Sequence, residues 1–385
     1  MPFSFHIYPP DIWVNLKLNK SQQVASGKAG KRVYFEGTGI AALTAAARLG
    51  KFGYETFVNG RITGNTKIED FEFDNAPLLT LPAVFRDFFQ KTGKHFGQEL
   101  EVKPTEPSFV FHFPDLKIEF ANLSRNERLA EIEQKLGREA AKEWDALLKE
   151  ADYLWGGLRE NYVECEFSYL RANLPTYIRL RTPRLKHPYL QAILGHYATY
   201  LGYPAGIYKW SHLVAFVEES FGIWQITGGT GALLKAIEER ASLLGTNFEG
   251  VTNFDFYIDS TEVHNVPSRR LIGIDKYPGE IPVRSIYFGR EQTTDIYATK
   301  LANGKYSLVM TGDLTLSDYD QYSVIDQIRG GITGSADNQL LTRIRTSNKN
   351  RFKVKHLDTL AHAGICGELL ANAVRGIKNR PSHEH

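Results

Sequence analysis

An α/β fold built on a parallel sheet is what the sequence predicts, and three observations carry the prediction. A short β-favouring run, Val33-Tyr34-Phe35, ends at the glycine turn Gly37-Thr38-Gly39. A stretch rich in Ala and Leu with helical character follows it. A second extended run, Tyr54 to Val58, comes after Gly53. Strand, turn, helix and strand over about thirty residues make a βαβ unit.

Composition sets the bounds around that unit. With 385 residues, 42% of them hydrophobic and 12% aromatic, the chain can bury a sizeable core and is expected to divide into two intimately joined domains. Lys plus Arg (46) nearly balances Asp plus Glu (44), so the net charge of +2 gives no general basis for binding nucleic acid. The two cysteines, Cys165 and Cys366, lie far apart and lack the partners of a zinc site or a disulfide framework. A reducing, cytoplasmic setting without a metal site is the expectation. No run approaches the roughly 20 apolar residues of a membrane-spanning helix. The opening MPFSFHIYPPDIWVNLKLNK lacks the basic leader, continuous apolar stretch and small-residue cleavage site of a signal peptide. NKSQQVASGKAGKR follows it as a polar lead-in, so residues 1–32 are expected to form a flexible arm.

The glycine turn carries the chemistry. Gly37 allows a tight turn, Gly39 lets the backbone approach a pyrophosphate, and Ala42 is a small third residue where helix meets strand. The pyrophosphate would rest on exposed N–H groups at the helix N-terminus. Gly37, Thr38, Gly39 and Ala42 are therefore candidate dinucleotide-binding residues. Asn59 stands at the end of the second strand, where a Glu or Asp normally accepts both ribose hydroxyls; an amide offers one carbonyl acceptor and no charge. Glu36 precedes the turn, its carboxylate either near the expected phosphates or directed to solvent.

From Asn59 the chain continues as GRITGNT and then FEFDNAPLLTLPAVFRDFFQKTGK, Phe71 to Lys94. This stretch resembles the phytoene desaturase (carotenoid dehydrogenase) family, in which a βαβ unit leads to a Gly-Gly-Arg-like turn and an FD-x-G-P-x-x-x-x-x-P-x-V-F segment. Asp74, Pro77, Leu81, Pro82, Val84 and Phe85 match it, with Arg61 and Gly64 at the turn. The resemblance extends through Ser124 to Trp155 and returns at HLVAFVEESFGIWQITGGTGALLKAIEERASLLG, His212 to Gly245. There Thr227 replaces the proline of a P-x-G-G-x-x-x-L turn, while Gly228, Gly229 and Leu233 remain. HLDTLAHAGICGELLANAV, His356 to Val374, is similar to the family's second FAD segment, a Gly-Asp-x-x-x-x-Pro-Gly-like turn leading into a helix, with Asp358 and Gly364 matching and Ala363 in place of the proline.

The resemblance implies FAD as cofactor and an α/β, Rossmann-like FAD-binding domain with an inserted, largely helical substrate domain. The chain is shorter than the family pattern after Val251 and around Phe352. Residues 33–100 and 222–385 would form the discontinuous FAD domain with part of the substrate sheet, and residues 101–221 the helical insertion. The implied cofactor contacts are Gly37, Thr38, Gly39, Ala42, Asn59, Arg61, Gly64, Gly228, Gly229, Asp358 and Gly364. The implied reaction is hydride transfer to flavin from a long apolar, carotenoid-like substrate.

Several other features stay open on the sequence. The aromatics Trp155, Tyr162, Phe167, Tyr169, Tyr177, Tyr197, Tyr200, Tyr203, Tyr208, Trp210 and Phe221 either pack a core or line a tunnel for an apolar substrate. YIRLRTPRLKHP, Tyr177 to Pro188, carries Arg179, Arg181, Arg184, Lys186 and His187, which form either a solvated helix face or a patch for anionic lipid headgroups. Nothing in the order of nucleophiles and histidines points to a catalytic acid or base. A flavin desaturase needs little beyond placement of the substrate beside the cofactor. The rival readings are a flavin-poor paralogue that binds an apolar ligand or a partner, and a nicotinamide-dependent dehydrogenase.

Overall fold

The computed structural model describes residues 30–60, 64–74, 78–159, 181–197, 205–208, 211–259, 268–289, 293–315, 318–329, 343–346 and 360–377. The chain opens with strand β1 (Arg32–Glu36), helix α1 (Ile40–Lys51) and strand β2 (Glu55–Asn59). The two strands pair in parallel with Glu36 opposite Asn59. Ile40 to Leu49 is buried along its whole length, a run of Ile, Ala and Leu interrupted by Thr44 and Arg48.

A hairpin of β3 (Asn65–Ile68) and β4 (Phe71–Asp74) follows, then β5 (Leu78–Leu79), α2 (Ala83–Thr92) and α3 (Phe96–Glu99). Next come β6 (Val102–Pro104) and a second hairpin, β7 (Phe109–His112) and β8 (Lys117–Phe120). Helices α4 (Arg125–Leu136), α5 (Arg138–Leu158), α6 (Pro188–His196) and α7 (Ser211–Phe221) occupy the middle of the chain. Their boundaries have local causes. Ser124 Oγ accepts the Glu127 N–H at the start of α4. Gly137, at φ 91°, separates α4 from α5, and Pro188 opens α6 where its missing N–H costs nothing.

Strand β9 (Trp224–Ile226) joins β5 and β6 in a small sheet and leads into α8 (Gly229–Leu243). Beyond α8, Asn247 forms a parallel bridge to Phe57, and the hydroxyls of Thr56 and Thr246 meet at 2.8 Å. Strand β10 (Phe256–Asp259) then pairs in parallel with the other side of β1. A mainly antiparallel set follows: β11 (Arg269–Ile274), β12 (Arg284–Phe288), β13 (Thr293–Lys300), β14 (Tyr306–Gly312) and β15 (Ser323–Arg329). Finally β16 (Arg343–Thr346) lies antiparallel to β10, and α9 (Leu360–Arg375) packs on α1.

Two sheets dominate. The first runs β16-β10-β1-β2, and its three parallel strands bear out the α/β reading. The Asn247 bridge extends it past β2. The second has seven strands in the order β15-β11-β14-β13-β12-β7-β8. Because β7 pairs with β12, residues near 110 and near 286 share a sheet. The segment expected as a largely helical insertion thus contributes strands as well as α4 to α7.

One core lies around α1, α2, α8 and α9 and includes Val33, Phe35, Phe85, Phe89, Ile237 and Leu370. A second fills the space between β7, β8 and helices α4 to α7, around Phe111, Phe120, Trp144 and Ile193. No helix among the described residues is long and apolar enough to cross a membrane.

Candidate functional site

The carboxyl ends of β1 and β2 and the start of α1 form the candidate site. Gly37 turns the chain at φ 83°, a left-handed conformation that glycine adopts without strain. Gly39 precedes α1 with extended backbone, φ 174° and ψ 171°. It offers no side-chain cap, and the first turn of α1 holds no acidic residue, so the positive end of the helix meets no carboxylate of its own first turn. Thr38 and Ala42 are buried beside it.

The strand ends hold a feature that the sequence did not reveal. Asn59 Nδ2 donates to Glu36 Oε1 at 2.9 Å, and Tyr34 OH donates to Glu36 Oε2 at 2.7 Å. The Tyr34 ring stacks on Phe254 with centroids 5.4 Å apart. Burial and then the neighbouring Glu36 carboxylate push the Tyr34 phenol up to about 12, so it remains a donor at neutral pH. The signal was parallel register: two residues that each end a strand of one βαβ unit become neighbours.

Gly64, Gly228 and Gly229 gather around a different helix end, that of α8. Asp74 Oδ2 accepts the Thr230 N–H at 2.9 Å, and Asn65 Oδ1 accepts the Gly231 N–H at 3.0 Å. Gly228 and Gly229 both have positive φ, 83° and 67°. A Cβ on Gly229 would stand 2.2 Å from Asp74 Oδ2, and one on Gly64 2.6 Å from the Gly231 nitrogen. These glycines let Asp74 and Asn65 reach the helix. The FD pair of the resemblance thus supplies a buried helix cap.

Gly364 lies within α9 rather than in a turn ahead of it, because the helix already begins at Leu360. A Cβ there would lie 2.8 Å from Val84 Cγ1, and one on Gly367 1.8 Å from Thr44 Oγ1. Both glycines allow close approach, and Arg48 Nε paired with Glu368 at 2.6 Å adds an ionic tie between α1 and α9. Arg61, Pro77 and Asp358 lie outside the described residues, as does most of the N-terminal arm.

A second polar cluster is buried between α4 to α7 and strands β12 and β13. Arg284 holds Asp295 through two hydrogen bonds of 3.2 and 2.8 Å, with His196 Nε2 3.3 Å from the same carboxylate. Glu219 pairs with Arg128 and accepts the Trp144 indole N–H at 3.2 Å. Burial, followed by the charges of Asp295 and Glu219, raises Glu218 well above the usual carboxylate range. Burial would also raise Asp295, but Arg284 and His196 bring it below its ordinary value. Adjacent acids in the apolar helix of VEESF were the only sequence trace; Arg284 and Asp295 meet solely through strand pairing.

Of the aromatics weighed as core or tunnel, Trp155 and Tyr197 are buried in the helical core and Phe221 packs against it. Tyr162, Phe167, Tyr169, Tyr177, Tyr200, Tyr203 and Trp210 lie outside the described residues, as does Arg179. Arg181, Arg184 and Lys186 are exposed. Residues 181–187 form no helix, so for this part of the basic segment the helix-face alternative does not apply.

No family model matches the chain. Among curated proteins it is similar to a neurosporene-forming phytoene desaturase of Cereibacter sphaeroides, 27% identical over 244 residues, which cover 57% of this chain and 46% of that protein. The chain is similar in sequence to carotenoid desaturases and oxygenases. A 4,4'-diapolycopene oxygenase of Methylomonas is 25% identical over 56% of this chain and 48% of its own length. A 4,4'-diaponeurosporene oxygenase of Staphylococcus aureus is 23% identical over 58% of this chain and 50% of its own length. The chain spans about half the length of these relatives, whose names denote oxidoreductases. The fold is shared with an oxidoreductase from Methanosarcina mazei (TM-score 0.54, 11% identity, covering 90% of this chain and 100% of that one). It is also shared with a Pyrococcus furiosus protein (TM-score 0.50, 12% identity, covering 77% and 88%).

Proposed function

We propose that this protein is an FAD-dependent oxidoreductase of the desaturase or dehydrogenase type, acting on a long apolar, carotenoid-like substrate. The observation that carries the reading is the glycine turn at the end of β1, opening onto an α1 N-terminus without a side-chain cap, in a chain similar in sequence to carotenoid desaturases and oxygenases. The residues present fit an adenine dinucleotide. Backbone N–H groups around Gly37, Thr38 and Gly39, with small Ala42 behind them, would hold the pyrophosphate. A carboxylate and an amide stand together at the ends of β1 and β2. Arg61 and Asp358 enter as further contacts on the strength of the resemblance. Gly64, Gly229 and Gly364 enter as packing residues that shape the domain, since a side chain at each would collide with its neighbours, and Gly228 enters beside them at a left-handed φ of 83°.

Bound flavin supplies the hydride acceptor; the chain's part is to bind it, orient it and keep water from the substrate. The exposed Arg181, Arg184 and Lys186 would let the protein rest on anionic lipid, at about 1 kcal/mol per basic residue near such a surface. Co-sedimentation with anionic vesicles that survives Arg181→Glu with Arg184→Glu would remove that element of the proposal.

The absorbance spectrum of purified protein, before and after incubation with FAD and removal of excess, tests the main reading. Flavin bands that co-purify or are taken up support it, and Gly39→Val should abolish them by pushing a side chain toward the pyrophosphate. A preparation that stays colourless overturns it and favours the flavin-poor, apolar-ligand alternative.

A further inference from the structure

Asn59 lacks the charge that a dinucleotide site ordinarily places at the end of the second strand, yet a carboxylate is present on the same edge, one strand over. Glu36 and Asn59 are register partners on parallel strands, so their side chains leave the same face of the sheet. The side chain of Asn59 donates to Glu36 rather than facing the site alone. Tyr34, fixed by its stack on Phe254, donates to the other carboxylate oxygen. Both Glu36 oxygens are therefore held in place from the protein side. A carboxylate has about four acceptor positions, and Glu36 is only partly buried at the strand end.

We propose that Glu36 is the ribose-binding carboxylate of this protein, and that Asn59 acts as a positioning residue that orients it. The charge has crossed from β2 to β1, and the amide has taken the place it left. This rests on the proposed dinucleotide site and deepens it by naming the group that recognises the adenosine ribose hydroxyls. Two consequences separate this arrangement from a solvent-exposed pair with no ligand. The binding of an adenosine diphosphate group should depend on the ribose 2'-hydroxyl. Adding a carboxylate at Asn59 should not tighten binding, because two like charges would then face each other across the strand pair. Moving the carboxylate back, by changing both residues, should restore it.

The test uses the full chain stripped of flavin. FAD is titrated by flavin fluorescence, and ADP and 2'-deoxy-ADP are titrated by competition with it, for the parent, Glu36→Gln, Asn59→Glu and the double variant. Glu36→Gln should weaken FAD roughly 10- to 100-fold, the cost of losing hydrogen bonds to a charged acceptor. Asn59→Glu should bind no better than the parent, and the double variant should recover most of the loss. The parent should prefer ADP to 2'-deoxy-ADP, a preference that Glu36→Gln removes. A parent that binds FAD but treats ADP and 2'-deoxy-ADP alike overturns the inference and leaves the flavoprotein reading standing; this arm needs no variant, so a folding defect cannot obscure it. Equal FAD affinity in parent and Glu36→Gln overturns it too. A parent that binds neither FAD nor ADP removes the dinucleotide site itself, and the inference with it.

Discussion

Among the described helices, α1 and α8 each begin at a turn with two glycines, and they treat the positive end of the helix in opposite ways. At α8, Gly228 and Gly229 bring the backbone so close to the β3–β4 hairpin that Asp74 and Asn65 accept the Thr230 and Gly231 N–H groups. At α1, Gly37 and Gly39 leave the helix start without a side-chain cap, and the strand-end carboxylate of Glu36 is tied to Asn59 and Tyr34 instead. A chain carboxylate has already satisfied the first helix end; the second retains its capacity for an external anion. The same signature of glycines before a helix therefore serves packing in one place and suits binding in the other. What separates them is which acidic residue the fold brings within reach.

The largest effect should come from closing the space that the α8 turn requires. Gly229→Ala would set a Cβ 2.2 Å from Asp74 Oδ2 at a residue with φ 67°. Left-handed strain and loss of the buried cap together should cost about 4 kcal/mol, read as a lower denaturant midpoint or melting temperature. A variant as stable as the parent would show that the cap contributes little.

Acid should weaken the fold through His212, which is buried in α7. Burial lowers His212 to about 4 from 6.5, so the unfolded chain takes up its proton before the folded one does. Stability tied to His212 is present above pH 6.5 and is lost as the pH falls toward 4, by about 3 kcal/mol over that window. Glu218 opposes it: with its folded value raised well above 4.5, its contribution falls as the pH rises. His212→Leu should flatten the acid limb of the stability curve relative to the parent. An unchanged limb would mean that His212 charges without unfolding the helix.

Asp74→Asn keeps the shape of the cap but removes the charge facing the helix end, and should cost about 1 to 2 kcal/mol of stability. The smallest effect on stability belongs to the open turn. Gly39 has extended backbone that any residue adopts, so Gly39→Ala should shift stability by only a few tenths of a kcal/mol while weakening FAD. If that variant instead unfolds as readily as Gly229→Ala, both turns are structural and the contrast between them disappears.

Local patterns foretold the local structure. The β-favouring runs around Val33 and Tyr54, the Ala-rich stretch between them and the glycines at its start determined a parallel βαβ unit, because hydrogen-bonding period and turn chemistry act within a few residues. The segments around Asp74 and Gly228 were recognisable, but their chemistry was not. Whether a glycine admits a ligand or a neighbouring side chain depends on what packs opposite, and for Gly229 that is Asp74, 155 positions earlier in the chain. Gly364 falls inside α9, where its close packing against Val84 and Phe85 of α2 could not be read from the sequence. Arg284, Asp295, Glu218 and Glu219 carry no motif at all, and they form one buried cluster only because β12 and β13 pair beneath α6 and α7. Sequence alone determined the glycine turn after β1 and the parallel pairing of β1 with β2. The tertiary structure decided which carboxylate meets which helix end, since register and packing, not spacing along the chain, bring Glu36 to Asn59 and Asp74 to α8.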